Sequence, residues 1–92
     1  LRATGAIELA AAQALALLEG PAAARDPLER LLTTKLRSRS ETRGEALAWL
    51  AAVRSSIAPD SDVTSLLVEA SEQFPAAEAV FHRVVMALSE PR

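Results

Sequence analysis

The chain has 92 residues, ten Lys and Arg against twelve Asp and Glu, a formal charge of −2 and no cysteine. That length accommodates one domain rather than two, and without thiols there is neither a disulfide framework nor a thiolate metal site. Half of the residues are hydrophobic, but with two Phe, one Trp and no Tyr the apolar content is mainly Ala and Leu. These are strong helix formers, so an all-α domain of closely packed helices is expected.

A first helix is predicted over residues 4–19, closed by Gly20-Pro21, with Gly suited to the left-handed position after a helix end. Its main apolar stripe is Ile7, Ala11, Ala14 and Leu18, flanked by Leu15 and Leu17, and this stripe is expected to face the core. Leu9, Ala12 and Ala16 occupy the opposite side. A helix apolar nearly all round is either central in its bundle or covered by a partner, which makes Leu9 a candidate partner contact. The longest apolar run, Leu9 to Leu18, is interrupted by Gln13 and falls short of the ~20 residues that span a bilayer. Glu8 stands where a signal peptide would carry a basic flank. These features, with the absence of Cys, point to an intracellular, cytoplasmic protein. A start at Leu rather than Met is expected of a fragment of a longer protein.

A second helix is predicted over 27–38, with Asp26 as cap, Pro27 at the first helical position and Glu29 completing a capping-box-like arrangement. Leu28, Leu31, Leu32 and Leu36 form its apolar face. The segment "KLRSRSETRG", residues 35–44, follows with four cations (Lys35, Arg37, Arg39, Arg43) and one anion. A third helix is predicted over 42–57. Thr42 and Glu45 have capping-box spacing, and Ser38 with Glu41 offers the same spacing one turn earlier. Its stripe is Ala46, Leu50, Val53 and Ile57, flanked by Leu47, with Trp49 about 70° from the centre at ~100° per residue.

The fourth helix is predicted over 61–73, with Asp60 as cap, Asp62 near the positive end of the helix dipole, and Val63, Leu66, Leu67, Ala70 and Phe74 as its stripe. Pro75 should end it and open a fifth helix over 75–89, since proline suits a first turn and not a helix interior. That helix buries Ala77, Val80, Phe81, Val84 and Leu88, with Met86 on the opposite side. The last two helices are expected to form a tightly joined αα-hairpin. The whole reads as a single helical domain over 1–92, a compact bundle of about five short antiparallel helices. Ala77 and Phe81 resemble the second helix of a tetratricopeptide unit, although the Trp, Leu-Gly and Tyr of that unit's first helix are absent from residues 60–74. A short helical-repeat segment is the alternative architecture.

Charge is unevenly distributed along this chain. Residues 25–54 hold seven cations and four anions, and residues 58–92 hold two cations and six anions. Such asymmetry favours a charged partner or self-pairing over general polyanion binding.

Little of the sequence suggests catalysis. His82, the only histidine, follows Glu78 by one turn, the spacing of an ordinary surface pair. Asp60 and Asp62 lack the Gly and later Glu of a calcium loop. Asp60-Ser61 is similar to the attachment site of phosphopantetheine carrier proteins, but Asp62 stands where those proteins have Leu. Gly5, Gly20 and Gly44 are isolated, so they form no phosphate cradle. No catalytic, cofactor or metal residues are therefore assigned. The expected function is that of a non-enzymatic protein–protein interaction module, an adaptor, scaffold or assembly subunit, binding another protein or itself. Lys35, Arg37, Arg39, Arg43, Trp49, Leu9 and Met86 are its candidate contacts. Phosphate or nucleic-acid binding through the basic link 35–43 is the alternative, although no aromatic is interleaved there for base stacking.

Overall fold

The computed structural model describes residues 4–90. Five helices follow one another, α1 (Ala6–Glu19), α2 (Pro21–Thr33), α3 (Glu41–Ile57), α4 (Thr64–Gln73) and α5 (Ala77–Ser89), and the described residues contain no strand. The all-α helical bundle expected from composition is the architecture found. None of these helices is long and apolar enough to cross a membrane.

The centre of the bundle is α3 rather than α1. Its residues Ala46, Leu47, Ala48, Leu50, Ala51, Ala52 and Val53 are all buried, so burial runs round the helix instead of along the single stripe expected. Alanines make this possible because they let neighbouring backbones approach from several sides. Two apolar clusters meet on α3. One joins Leu9, Ala12 and Ala16 of α1 with Ala24, Leu28 and Leu31 of α2, Leu36 of the link, and Ala46, Leu50 and Val53. The other joins Leu47 and Ala48 to Ala70 of α4 and Ala77 of α5, with Phe74 and Val80 packed against it. The α1–α2 pair and the α4–α5 pair thus share α3 as their common support. As expected, α4 and α5 are closely joined, by residues 74–76, but contacts between them are sparse and each leans on α3.

The buried side of α1 is also the reverse of expectation. Leu9, Ala12 and Ala16 face the core, whereas Ile7 and Leu18 are 63% and 76% exposed. Both faces of α1 are apolar, so periodicity alone does not choose between them. The face that turns inward is the one against which α2 and α3 bring Leu28, Leu31, Leu50 and Val53.

Helix boundaries shift where tertiary contacts outweigh local signals. The second helix begins at Pro21, six residues before the Pro27 start expected. Gly20, at φ 106°, ends α1 and turns the chain, and Pro21 serves as the first residue of α2. Pro27 then lies inside the helix, where it removes a backbone donor. The added turns recover burial through Ala24, which is fully buried. The same helix stops at Thr33 instead of residue 38. The N–H groups of Thr34 and Leu36 both bond to the Leu31 carbonyl, at 3.3 and 2.9 Å, and the hydroxyls of Thr33 and Thr34 donate to the Arg30 carbonyl. Leu36 leaves the helix yet remains buried.

Capping departs from expectation in a similar way. Ser40, rather than Thr42 or Ser38, caps α3, its Oγ accepting the Arg43 N–H at 3.0 Å. The N-cap of α4 is Val63 rather than Asp60; Asp62, just ahead of it, accepts the Thr64 N–H at 3.0 Å, and that helix starts at residue 64 instead of 61. Pro75 lies in the turn before α5 and forces extended backbone on Phe74, at φ −141°.

Candidate partner-binding site

Three of the four cations of the basic link are paired with carboxylates of other elements. Lys35 pairs with Glu8 of α1 and Arg43 with Glu69 of α4, while Arg39 approaches Glu72 at 3.5 Å. The backbone N–H of Ser40 donates to Gln73 Oε1 at 3.1 Å. One end of the link is therefore tied to α1, and the other end, with the start of α3, to α4. The Lys35 ammonium holds the Glu8 carboxyl below its ordinary value.

Arg43 is the most enclosed of these cations. Its side chain is 16% exposed, against 67% for Arg39, and its Nε is buried with no hydrogen-bond partner. Arg37 is exposed and makes no ion pair among the described residues. Two of these pairs, Arg43–Glu69 and Arg39–Glu72, join the basic middle of the chain to its acidic C-terminal part. Elsewhere Arg54 bonds to Glu29 at 2.9 Å, tying α3 to α2, and Gln13 donates to Glu45 at 2.8 Å, tying α1 to α3.

The hydrophobic candidates separate clearly. Leu9 is 3% exposed, which corrects its placement on an uncovered side of the first helix. Trp49 is partly buried and packs against the larger apolar cluster. Met86 is 70% exposed. His82 lies on the surface beside Phe81, the two rings meeting edge to face at 5.2 Å. Among the described residues no group of three His, Cys, Asp or Glu side chains is placed to hold a metal ion.

One exposed apolar face was assigned by sequence to the core. Ile7, Ala10, Ala11, Ala14, Leu17 and Leu18 are all exposed on the outward side of α1. At ~100° per residue they cover an arc of about 120°. No polar side chain interrupts it, since Glu8, Gln13 and Glu19 lie outside the arc. Beside this face, between α1 and α2, opens a groove lined by Ala11, Leu15, Pro27, Leu31 and Thr34, with Arg30 and Lys35 at its rim. The signal for this surface was present in the sequence as a helix with two apolar faces, of which only one can be inward.

No known family model, no curated protein and no solved structure matches this chain.

Proposed function

We propose that the chain is a non-enzymatic helical module that binds another protein through the outward face of α1, serving as an adaptor, scaffold or assembly subunit. One observation carries this reading: a continuous helix face of six apolar residues left in solvent, with Leu18 76% and Ile7 63% exposed. Scattered exposed apolar residues are normal on a monomer, whereas a contiguous patch marks a contact surface. Covering Ile7, Leu17 and Leu18 removes the equivalent of about two large side chains from water, roughly 3–5 kcal/mol. That is on the order of the cost of association itself, ~4–15 kcal/mol, so the partner must contribute apolar surface of its own.

The phosphate or nucleic-acid reading draws less support. A polyanion at the link would have to displace Glu8, Glu69 and Glu72 from Lys35, Arg43 and Arg39, leaving Arg37 as its readiest contact. Salt-titrated binding to duplex and single-stranded oligonucleotides discriminates the two. Steep loss of affinity with salt, reduced by Arg37→Ala, would favour nucleic acid.

The interaction reading is tested by affinity capture with the native chain and with Leu18→Glu as baits, followed by reconstitution of any captured pair from purified proteins. A direct partner bound by the native chain and lost with Leu18→Glu is expected. Equal binding to both baits would remove α1 from the interface.

A further inference from the structure

Resting on the reading of α1 as the contact face, we infer that its occupant is a second copy of this chain, paired antiparallel through α1 about a two-fold axis. The pattern of the face is close to palindromic. Taking the midpoint between residues 12 and 13 as the axis, Ile7 stands opposite Leu18 of the second copy, and Ala11 opposite its Ala14. In this register Ile7, Ala11, Ala14 and Leu18 pair among themselves, and Ala10 and Leu17 fall within the same span of helix. Helical side chains lean toward their own N-terminus, so Leu17 and Leu18 lean inward over Ala10 and Ala11 of the second copy. The two-fold axis repeats each contact, giving a closed, isologous dimer.

Charge and helix direction agree with this arrangement. The arc contains no ionisable residue, so pairing buries no charge. Glu8, at its edge, is held by Lys35 of its own chain. In the antiparallel register the two Glu8 carboxylates are separated by about nine residues' rise, roughly 13 Å. Antiparallel helices also oppose their dipoles favourably.

The area sets the strength. Ile7, Leu17 and Leu18 are 63%, 46% and 76% exposed. With the three alanines, the face offers on the order of 400–500 Å² per chain, or about 800–1,000 Å² for the pair, just below the size of stable interfaces. At that size the dimer is weak and concentration-dependent, with dissociation in the micromolar range or above.

Sedimentation analysis of the purified chain from about 5 to 500 µM, across the micromolar range, tests this directly. A reversible monomer–dimer equilibrium is expected. Ala14→Arg, at an exposed position in the centre of the face, should leave helicity and melting temperature unchanged while making the chain monomeric, and Leu18→Glu should do the same. Because the chain has no native Cys, introduced thiols report the register. A mixture of Ile7→Cys and Leu18→Cys chains should form the mixed disulfide in preference to either homodisulfide.

A strictly monomeric chain at the highest concentration, a dimer indifferent to both substitutions, or preferential Ile7→Cys homodisulfides would each overturn the proposal. If the chain is monomeric yet captures a direct partner in a Leu18-dependent manner, the second copy is the wrong occupant and the contact face stands. A monomer that captures nothing removes both.

Discussion

Gly44 lies in the first turns of α3, where an alanine would ordinarily stabilise the helix by up to about 1 kcal/mol. The structure reverses that expectation. A Cβ built at residue 44 would lie 2.6 Å from Phe74 Cβ, 2.9 Å from the Phe74 nitrogen and 3.0 Å from the Ala70 carbonyl oxygen. Unstrained carbon contacts need ~3.5–4.0 Å, so α3 and the end of α4 must separate by about 1 Å. None of the three atoms is the tip of a flexible side chain, so rotamer changes offer no relief. Overpacking of this kind costs about 1–3 kcal/mol.

The same seam holds the Arg43–Glu69 pair and the Ser40–Gln73 hydrogen bond, both of which the separation weakens. Gly44→Ala is therefore expected to destabilise by a net ~1–2 kcal/mol, lowering the melting temperature by about 5–15 °C for a domain of this size. Phe74→Ala should not rescue it, because Cβ and backbone remain in place. Reversible urea and thermal unfolding of the native chain, Gly44→Ala and the double variant measure these differences. A Gly44→Ala chain as stable as the native one, or more so, would refute the close approach of α3 and α4 at this point.

The remaining predictions concern the ties around the basic link and the start of α4. Glu69→Gln should cost about 1–3 kcal/mol, because it leaves the mostly enclosed Arg43 guanidinium without its anion. Arg39→Ala, at an exposed pair, should stay within about 0.5 kcal/mol; similar losses in urea denaturation would contradict this ranking. Ser40→Ala should cost about 1 kcal/mol through the lost cap, whereas Ser38→Ala and Thr42→Ala should each remain within ~0.5 kcal/mol, and a reversed order would place the start of α3 elsewhere. The Thr64 backbone N–H and hydroxyl hold the Asp62 carboxyl below its ordinary 3.8. A carboxyl lowered by folding stabilises above its unfolded value and loses that contribution as pH falls through the lowered one. The stability difference between the native chain and Asp62→Ala should therefore be constant above about pH 5 and shrink below about pH 4. A difference independent of pH down to acid unfolding would show that ionised Asp62 does not hold Thr64 at the start of α4.

Much of the fold was legible along the chain because helix formation is largely local. Gly20-Pro21, Pro59 and Pro75 punctuate the sequence where a helix cannot continue, and Ala- and Leu-rich segments between them favour helix over strand. Number, class and approximate placement of the helices follow from these residues alone. Precise starts do not. Ser38, Ser40 and Thr42 are chemically similar cap candidates within five residues, and the choice of Ser40 coincides with the hydrogen bond from its N–H to Gln73, 33 residues away. Pro27 reads locally as a first helical residue, and only the burial of Ala24 in the core explains the extra turns before it.

The contact surfaces were legible as materials rather than as places. The four cations of the link were evident, but their carboxylate neighbours Glu8, Glu69 and Glu72 lie some 26 to 33 residues away in sequence, and folding alone brings them together. Both faces of α1 were evident too. Composition determined that this helix is apolar all round; the bundle decided that Leu9, Ala12 and Ala16 go inward and that Ile7, Ala14 and Leu18 stay in water. The physical reason is that periodicity records which residues share a face, whereas burial depends on where the neighbouring helices lie, which residues distant in sequence decide.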